Sequence, residues 1–179
     1  GISTRKMKRV LNAMGVEGIS AGQVSNLTQS LETEVQTFRN RPLNAHYPFI
    51  WIDALYEKIR VDGKVQSVAI MIAMAVDEHG NKKLLAIEPM HNESEETWGL
   101  FFDSLSNRGV STINILVSDA HKGIQAALKH RFLGTTWQRC KVHFMRNVLA
   151  KVSHKFKAAV GSDLSILFQQ KTMNSAKSY

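Results

Sequence analysis

A single cysteine, Cys140, leaves no partner for an internal disulfide and fits a reducing compartment. Long apolar runs are missing as well. The longest, Val68 to Val76, is too short to span a bilayer. No charged-then-apolar leader opens the chain. These absences exclude membrane and disulfide-scaffold classes and lead to an expected cytoplasmic location. The first residue is Gly1 rather than methionine, so the chain is expected to be a fragment or a processed product. No glycine-rich phosphate loop of the Walker type is present, which removes support for nucleotide hydrolysis. Acidic residues almost vanish past Asp119, where Asp163 is the only one.

What is present is a core-sized hydrophobic fraction, 44% of 179 residues, and a net charge of +8. That length allows one core domain plus an appendage. The charge is unevenly spread. Residues 1–44 carry +3, residues 45–119 carry −5, and residues 120–179 carry +10. An acidic middle between basic ends suits a metal-holding centre with flanks for a polyanion such as nucleic acid; the alternative is a solvated basic surface.

Two apolar runs meet an aspartate. The first is Pro48-Phe49-Ile50-Trp51-Ile52-Asp53, and the second is Ile113-Asn114-Ile115-Leu116-Val117-Ser118-Asp119. Each reads as a strand buried on both faces. A carboxylate at such a position is costly to desolvate unless its charge is compensated. On neighbouring parallel strands the two would share a crevice at the carboxyl edge of the sheet, where magnesium is the simplest compensation. Taken singly, each is equally a turn former or a helix N-cap.

The other elements follow from periodicity and caps. Residues 3–14 predict a helix with a Met7, Val10, Leu11, Met14 stripe, stopped by Gly15. Gly18 allows a turn, and Ser20 caps a second helix that continues to Phe38. This outline is either a helix-turn-helix, with Gln23, Ser25, Asn26 and Gln29 facing DNA, or a plain helical hairpin. Asn40-Arg41-Pro42-Leu43 breaks it and marks a boundary. Strand one continues past Asp53 to Arg60, and Asp62-Gly63 signals a hairpin. Strands over 66–76 and 83–90 follow, then a helix capped by Ser94 with Trp98, Phe101, Phe102 and Leu105 buried. After the strand ending in Asp119 come a helix over 122–132, a strand over 135–139 and a helix over 142–152. The expected fold is α/β, with a three-strand meander and then alternating helices and strands, the order of a ribonuclease-H-like core. The expected division has a boundary at 43, with a helical segment over 1–43 before an α/β core over 44–152.

Three blocks carry a resemblance. Trp51-Ile52-Asp53-Ala54-Leu55-Tyr56-Glu57-Lys58-Ile59-Arg60 resembles the first catalytic block of the Mutator-type bacterial insertion-sequence transposases. Val117-Ser118-Asp119-Ala120-His121-Lys122-Gly123-Ile124 resembles the second, and Gln138-Arg139-Cys140-Lys141-Val142-His143-Phe144-Met145-Arg146-Asn147 resembles the cysteine–histidine block that follows. The N-terminal Gly1-Ile2-Ser3-Thr4-Arg5-Lys6 and the stretch from Gly18 to Leu43 are also similar to that family.

The resemblance implies a DDE-type DNA transposase, with two aspartates and a glutamate holding two Mg2+ or Mn2+ ions for strand cleavage and strand transfer. Asp53 matches the first acid and Asp119 the second. The implied partners are double-stranded DNA, as element ends and as target, and further copies of the enzyme. The family's glutamate lies beyond the 60 residues that follow Asp119, and Asp163 has the wrong spacing to replace it. The chain therefore reads as the middle of a longer enzyme, with a partial DNA-binding segment over 1–43, an incomplete catalytic core over 44–152 and the start of a helical insertion over 153–179, and is expected to be inactive alone. The rival reading is a non-catalytic DNA-binding remnant that competes for element ends. A phosphatase with Asp53 as nucleophile would need an acid where Leu55 stands.

Cys140 and His143 make only half a zinc site; Cys140 otherwise packs as a small apolar residue. The family block suggests that His143 orients the chain or contacts DNA, and Arg139 and Arg146 beside it are DNA-binding candidates. His121 and Lys122 either approach the scissile phosphate or begin a solvated helix. Lys58 and Arg60 either touch DNA or form the outward face of a strand.

Overall fold

The computed structural model describes Met7, residues 20–61 and residues 63–179. The remainder of the predicted first helix, with Gly15 and Gly18, lies outside the described residues, and so does the helix-turn-helix reading that depends on it. The second helix, α1, runs Ala21–Asn40. It starts where predicted because Ser20 Oγ accepts the Gln23 N–H while Gln23 Oε1 accepts the Ser20 N–H, a reciprocal cap.

The core follows as β1 (His46–Val61), β2 (Lys64–Val76), β3 (Lys82–Met90), α2 (Glu95–Asn107), β4 (Thr112–Ser118), α3 (Lys122–Arg131), β5 (Thr136–Arg139) and α4 (Lys141–Lys151). A 3-10 turn at His154–Phe156 leads to α5 (Lys157–Gln169) and α6 (Met173–Ser178), so the final stretch is helical as expected. The five strands form one sheet in the order β3-β2-β1-β4-β5. The meander β1–β2–β3 is antiparallel, and β4 and β5 add in parallel on the other side of β1. This is the ribonuclease-H-like arrangement that the element order predicts.

Alternation along β1 assigns its faces. Ile50 and Ile52 are buried, opposite Ala75 and Ala73 of β2. They pack in one cluster with Trp98, Phe101, Phe102 and Leu105 of α2 and with Ile124, Ala127 and Leu128 of α3. Phe49 and Trp51 point to the opposite, open face, where their rings stack at 6.1 Å. The predicted Ser94 cap is present, with Ser94 Oγ accepting the Thr97 N–H at 3.1 Å. Gly109 follows α2 at φ +117°, and a Cβ there would lie 2.8 Å from the Leu43 carbonyl oxygen. A side chain at 109 would thus be strained and would also push the boundary segment off the core.

One expectation is corrected. The run into Asp53 is not buried on both faces, because Phe49 and Trp51 are exposed on the open face. β1 starts at His46 and, as the sequence predicts, passes straight through the aspartate, for eight further residues. Its early start has a physical partner. His46 Nδ1 lies 2.8 Å from Glu78 Oε1, and Nε2 lies 3.1 Å from Asn114 Oδ1. The Glu78 contact, and then that to Asn114, raise the His46 pKa above its ordinary 6.5. A raised folded-state value means that protonation stabilises the fold. That contribution is complete below pH 6.5 and is lost as pH rises through the folded-state value. The melting temperature should fall modestly across that window, and His46→Gln should remove the dependence, as read by thermal denaturation in a pH series.

Candidate active site

The β1–β4 ladder fixes the relation between the two aspartates. Phe49 pairs with Ile115, Ile50 with Leu116 and Trp51 with Val117, each at an offset of 66 residues. Asp53 and Asp119 are 66 residues apart as well. The ladder ends at Trp51 opposite Val117, and Asp53 and Asp119 each follow two residues later, Asp119 just past the carboxyl end of β4. Adjacent strands lie about 4.8 Å apart, a span that one or two hydrated cations can bridge.

Each carboxylate makes only local backbone bonds. Asp53 Oδ1 accepts the Ala54 N–H at 3.0 Å, and Asp119 Oδ1 accepts the His121 N–H at 3.0 Å. Among the described residues, neither forms an ion pair with lysine or arginine. The nearest basic group is His143 Nε2, 3.8 Å from Asp53 Oδ1, while the His143 Nδ1 is buried without a hydrogen-bond partner. Two hard oxygen donors without a competing cation fit Mg2+ or Mn2+, which fill their other positions with water and phosphate oxygens. Among the described residues, no three or more His, Cys, Asp or Glu side chains group to hold a metal ion. The candidate donors are Asp53 and Asp119.

A buried polar network behind Asp119 has no periodicity signal and escapes sequence reading. Ser118 is 1% exposed. Its Oγ accepts the Trp137 Nε1–H at 2.9 Å and donates to the Asp119 carbonyl at 2.8 Å. Its own carbonyl accepts the Cys140 N–H at 2.6 Å. The end of β4 is thereby tied to both ends of β5, and Cys140 takes the N-cap position of α4. Ser118→Ala would strand the indole N–H in a buried position. The expected cost is about 1–2 kcal/mol in urea unfolding, with the loss concentrated at the Asp119 turn.

The other predicted residues divide by position. His121 caps α3, its Nδ1 accepting the Gly123 N–H at 3.2 Å, and Lys122 is the exposed first residue of that helix. Arg139 lays its guanidinium over Phe144 at 5.0 Å, with Nε buried and unpaired. Phe144 in turn meets Phe168 edge-on at 5.8 Å, which seats α5 against α4. Arg146 is exposed on α4. Gln23 is occupied by the α1 cap, while Ser25, Asn26 and Gln29 are exposed on that helix, away from the aspartate pair in sequence and element. Lys58 and Arg60 are exposed on the part of β1 beyond Asp53.

Comparison with known proteins gives a consistent result. The family model described as "Transposase, Mutator family" matches residues 1–179. The transposase for insertion sequence element IS256 in transposon Tn4001 of Staphylococcus aureus is 34% identical over 178 residues, which is 99% of this chain and 46% of that protein. The transposase for insertion sequence element IS1081 of Mycobacterium tuberculosis is 38% identical over 151 residues, covering 84% of this chain and 36% of that protein. The chain thus spans less than half the length of these relatives. Among solved structures, the HTLV-2 integrase catalytic core domain in complex with magnesium aligns over 74% of this chain and 90% of that one, with TM-score 0.38 and 10% identity.

Proposed function

The chain belongs to the Mutator family of transposases, and from that premise we propose that it supplies Asp53 and Asp119 as the first two acids of a metal-dependent DNA strand-cleavage and strand-transfer site. The observation that supports the reading is the 66-residue offset of the β1–β4 ladder, which Asp53 and Asp119 share two residues beyond its last pair, with neither carboxylate in an ion pair with lysine or arginine among the described residues. Asp53 and Asp119 would hold Mg2+ or Mn2+. When bound, such ions supply an activated oxygen nucleophile and charge stabilisation for the leaving oxygen of an in-line displacement at phosphorus.

The chain's own residues do the rest. β1 and β4 fix the spacing of the carboxylates. The Asp119 turn, braced by Ser118 and Trp137, holds the second acid at the rim. His143 Nε2 lies 3.8 Å from Asp53 Oδ1, the oxygen that also accepts the Ala54 N–H. The cations Lys122, Arg139 and Arg146 follow the second aspartate in the basic stretch and give the DNA backbone a counter-charge. Residues 120–179 hold no glutamate, so none of them supplies the third acid of a DDE set. Double-stranded DNA is the substrate and further copies of the enzyme are the partners in this reading. The test is Mg2+-dependent nicking of duplex DNA by the full-length protein. Nicking that survives both Asp53→Asn and Asp119→Asn would put the chemistry elsewhere.

A further inference from the structure

The sheet is much shorter than its central hairpin. β4 pairs with β1 only from His46 to Trp51, and β3 pairs with β2 only from Ala69 to Val76. β1 has no β4 partner after Trp51 but stays beside β2 and β3 as far as Tyr56, and β1 and β2 pair with each other alone from Glu57 opposite Val68 out to Val61 opposite Lys64. Gly63, at φ +77°, lies in the turn that closes the tip. A two-stranded ribbon therefore leaves the body at Glu57, four residues past Asp53, with Ala54 to Tyr56 as its base. Five residue pairs at about 3.3 Å each give the ribbon a length of about 16 Å.

A ribbon of this kind is marginal in water on its own. This one also exposes Leu55, Tyr56, Ile59 and Val65, the last at 59%. Both outer edges carry unpaired backbone groups beyond the last pairings with β3 and β4. It is built to be covered. Its position and charge select the cover. The ribbon continues the strand that carries the first proposed acid, so a duplex that presents a phosphate to Asp53 reaches it. By alternation Lys58 and Arg60 lie on the side opposite Asp53, and Lys64, opposite Val61, lies on the Asp53 side, so the ribbon carries cations on both faces. Among the described residues none of the three enters an ion pair. A two-stranded ribbon has the width of the DNA major groove, and the apolar side chains between the cations suit sugar edges and thymine methyl groups.

We infer that residues 54–68 form an arm that lies in a groove of the duplex flanking the scissile phosphate, with Lys58, Arg60 and Lys64 on the phosphates that border it. The inference rests on the proposed function, since it takes the DNA at Asp53 as given. The arm holds the duplex in line with the carboxylate pair.

The test uses this chain and a short fluorescein-labelled duplex of mixed sequence, with binding followed by anisotropy across a salt series. The triple variant Lys58→Ala, Arg60→Ala, Lys64→Ala changes only exposed side chains, and an unchanged circular dichroism spectrum controls for folding. Its affinity should fall at least about tenfold, and the slope of log K against log salt should shrink by about 2 to 3, near 0.9 per phosphate released. Photocrosslinking to a bromouracil-substituted duplex should label peptides within residues 54–68 of the unaltered chain. Unchanged affinity and slope in the variant, beside salt-sensitive binding by the unaltered chain, overturn the arm and leave the carboxylate site standing. No salt-sensitive binding by the unaltered chain overturns both readings. A dimer that Leu55→Ser with Ile59→Ser dissociates, while DNA affinity holds, overturns the arm in favour of a second copy as its cover.

Discussion

Asp53→Asn in the full-length protein should lower Mg2+-dependent nicking on the order of a thousandfold, and Asp119→Asn should do the same. Asparagine keeps the shape of each side chain and the local bonds to Ala54 and His121, because its remaining oxygen still accepts an N–H. What it removes is negative charge at a site where no lysine or arginine is paired with it. The fold should be untouched, since Asp53 is exposed and Asp119 makes no side-chain bond outside its own turn. Unaltered melting curves beside lost nicking and lost Mn2+ binding, measured by paramagnetic relaxation of water protons, would mark a chemical defect. A double variant no worse than either single one is also expected, since the pair acts as a unit. Variants that unfold would instead make the aspartates structural, and full nicking by either would sink the shared-site reading.

Phe102→Ala should be the most damaging of the core truncations, at about 3–5 kcal/mol in urea unfolding. Phe102 is fully buried in α2. It meets Phe132 edge-on at 5.8 Å and lies 6.4 Å from Trp98, so one ring bridges α2 to the end of α3. Its loss removes the transfer energy of the ring, leaves a cavity, and frees both neighbours at once. The helices that would part are the two that back the strands bearing Asp53 and Asp119. A loss below about 1 kcal/mol would show that α2 and α3 collapse onto the gap, contrary to close packing.

The sequence is informative wherever one residue type has one physical use. Ser20 and Ser94 mark helix starts because a side-chain oxygen is needed there, and both make the bonds. Trp98, Phe101, Phe102 and Leu105 recur at helical spacing, and all four are buried. The element order is enough to make β1 and β4 neighbours, because a meander followed by alternating helices and strands leaves few topologies. Residues with several uses read less well. Gln23, a candidate contact to bases or phosphates, also makes the α1 cap. His121, read either as a phosphate contact or as the start of a helix, caps α3 by accepting the Gly123 N–H. The Ser118–Trp137 bond joins residues 19 apart on different strands, and no local pattern encodes it. The reach of the hairpin past its neighbours is hidden for a related reason: where β3 and β4 stop is set by chain turns elsewhere.

The two acids differ in how firmly the backbone grips them. Asp53 sits mid-strand opposite Ile72, with paired residues before and behind it. Asp119 stands one step past the last rung of β4, steadied by a turn and by its serine neighbour. On the proposed reading, adjustment between the two acids is therefore expected at the Asp119 turn, which frays more readily than a strand paired on both sides of Asp53.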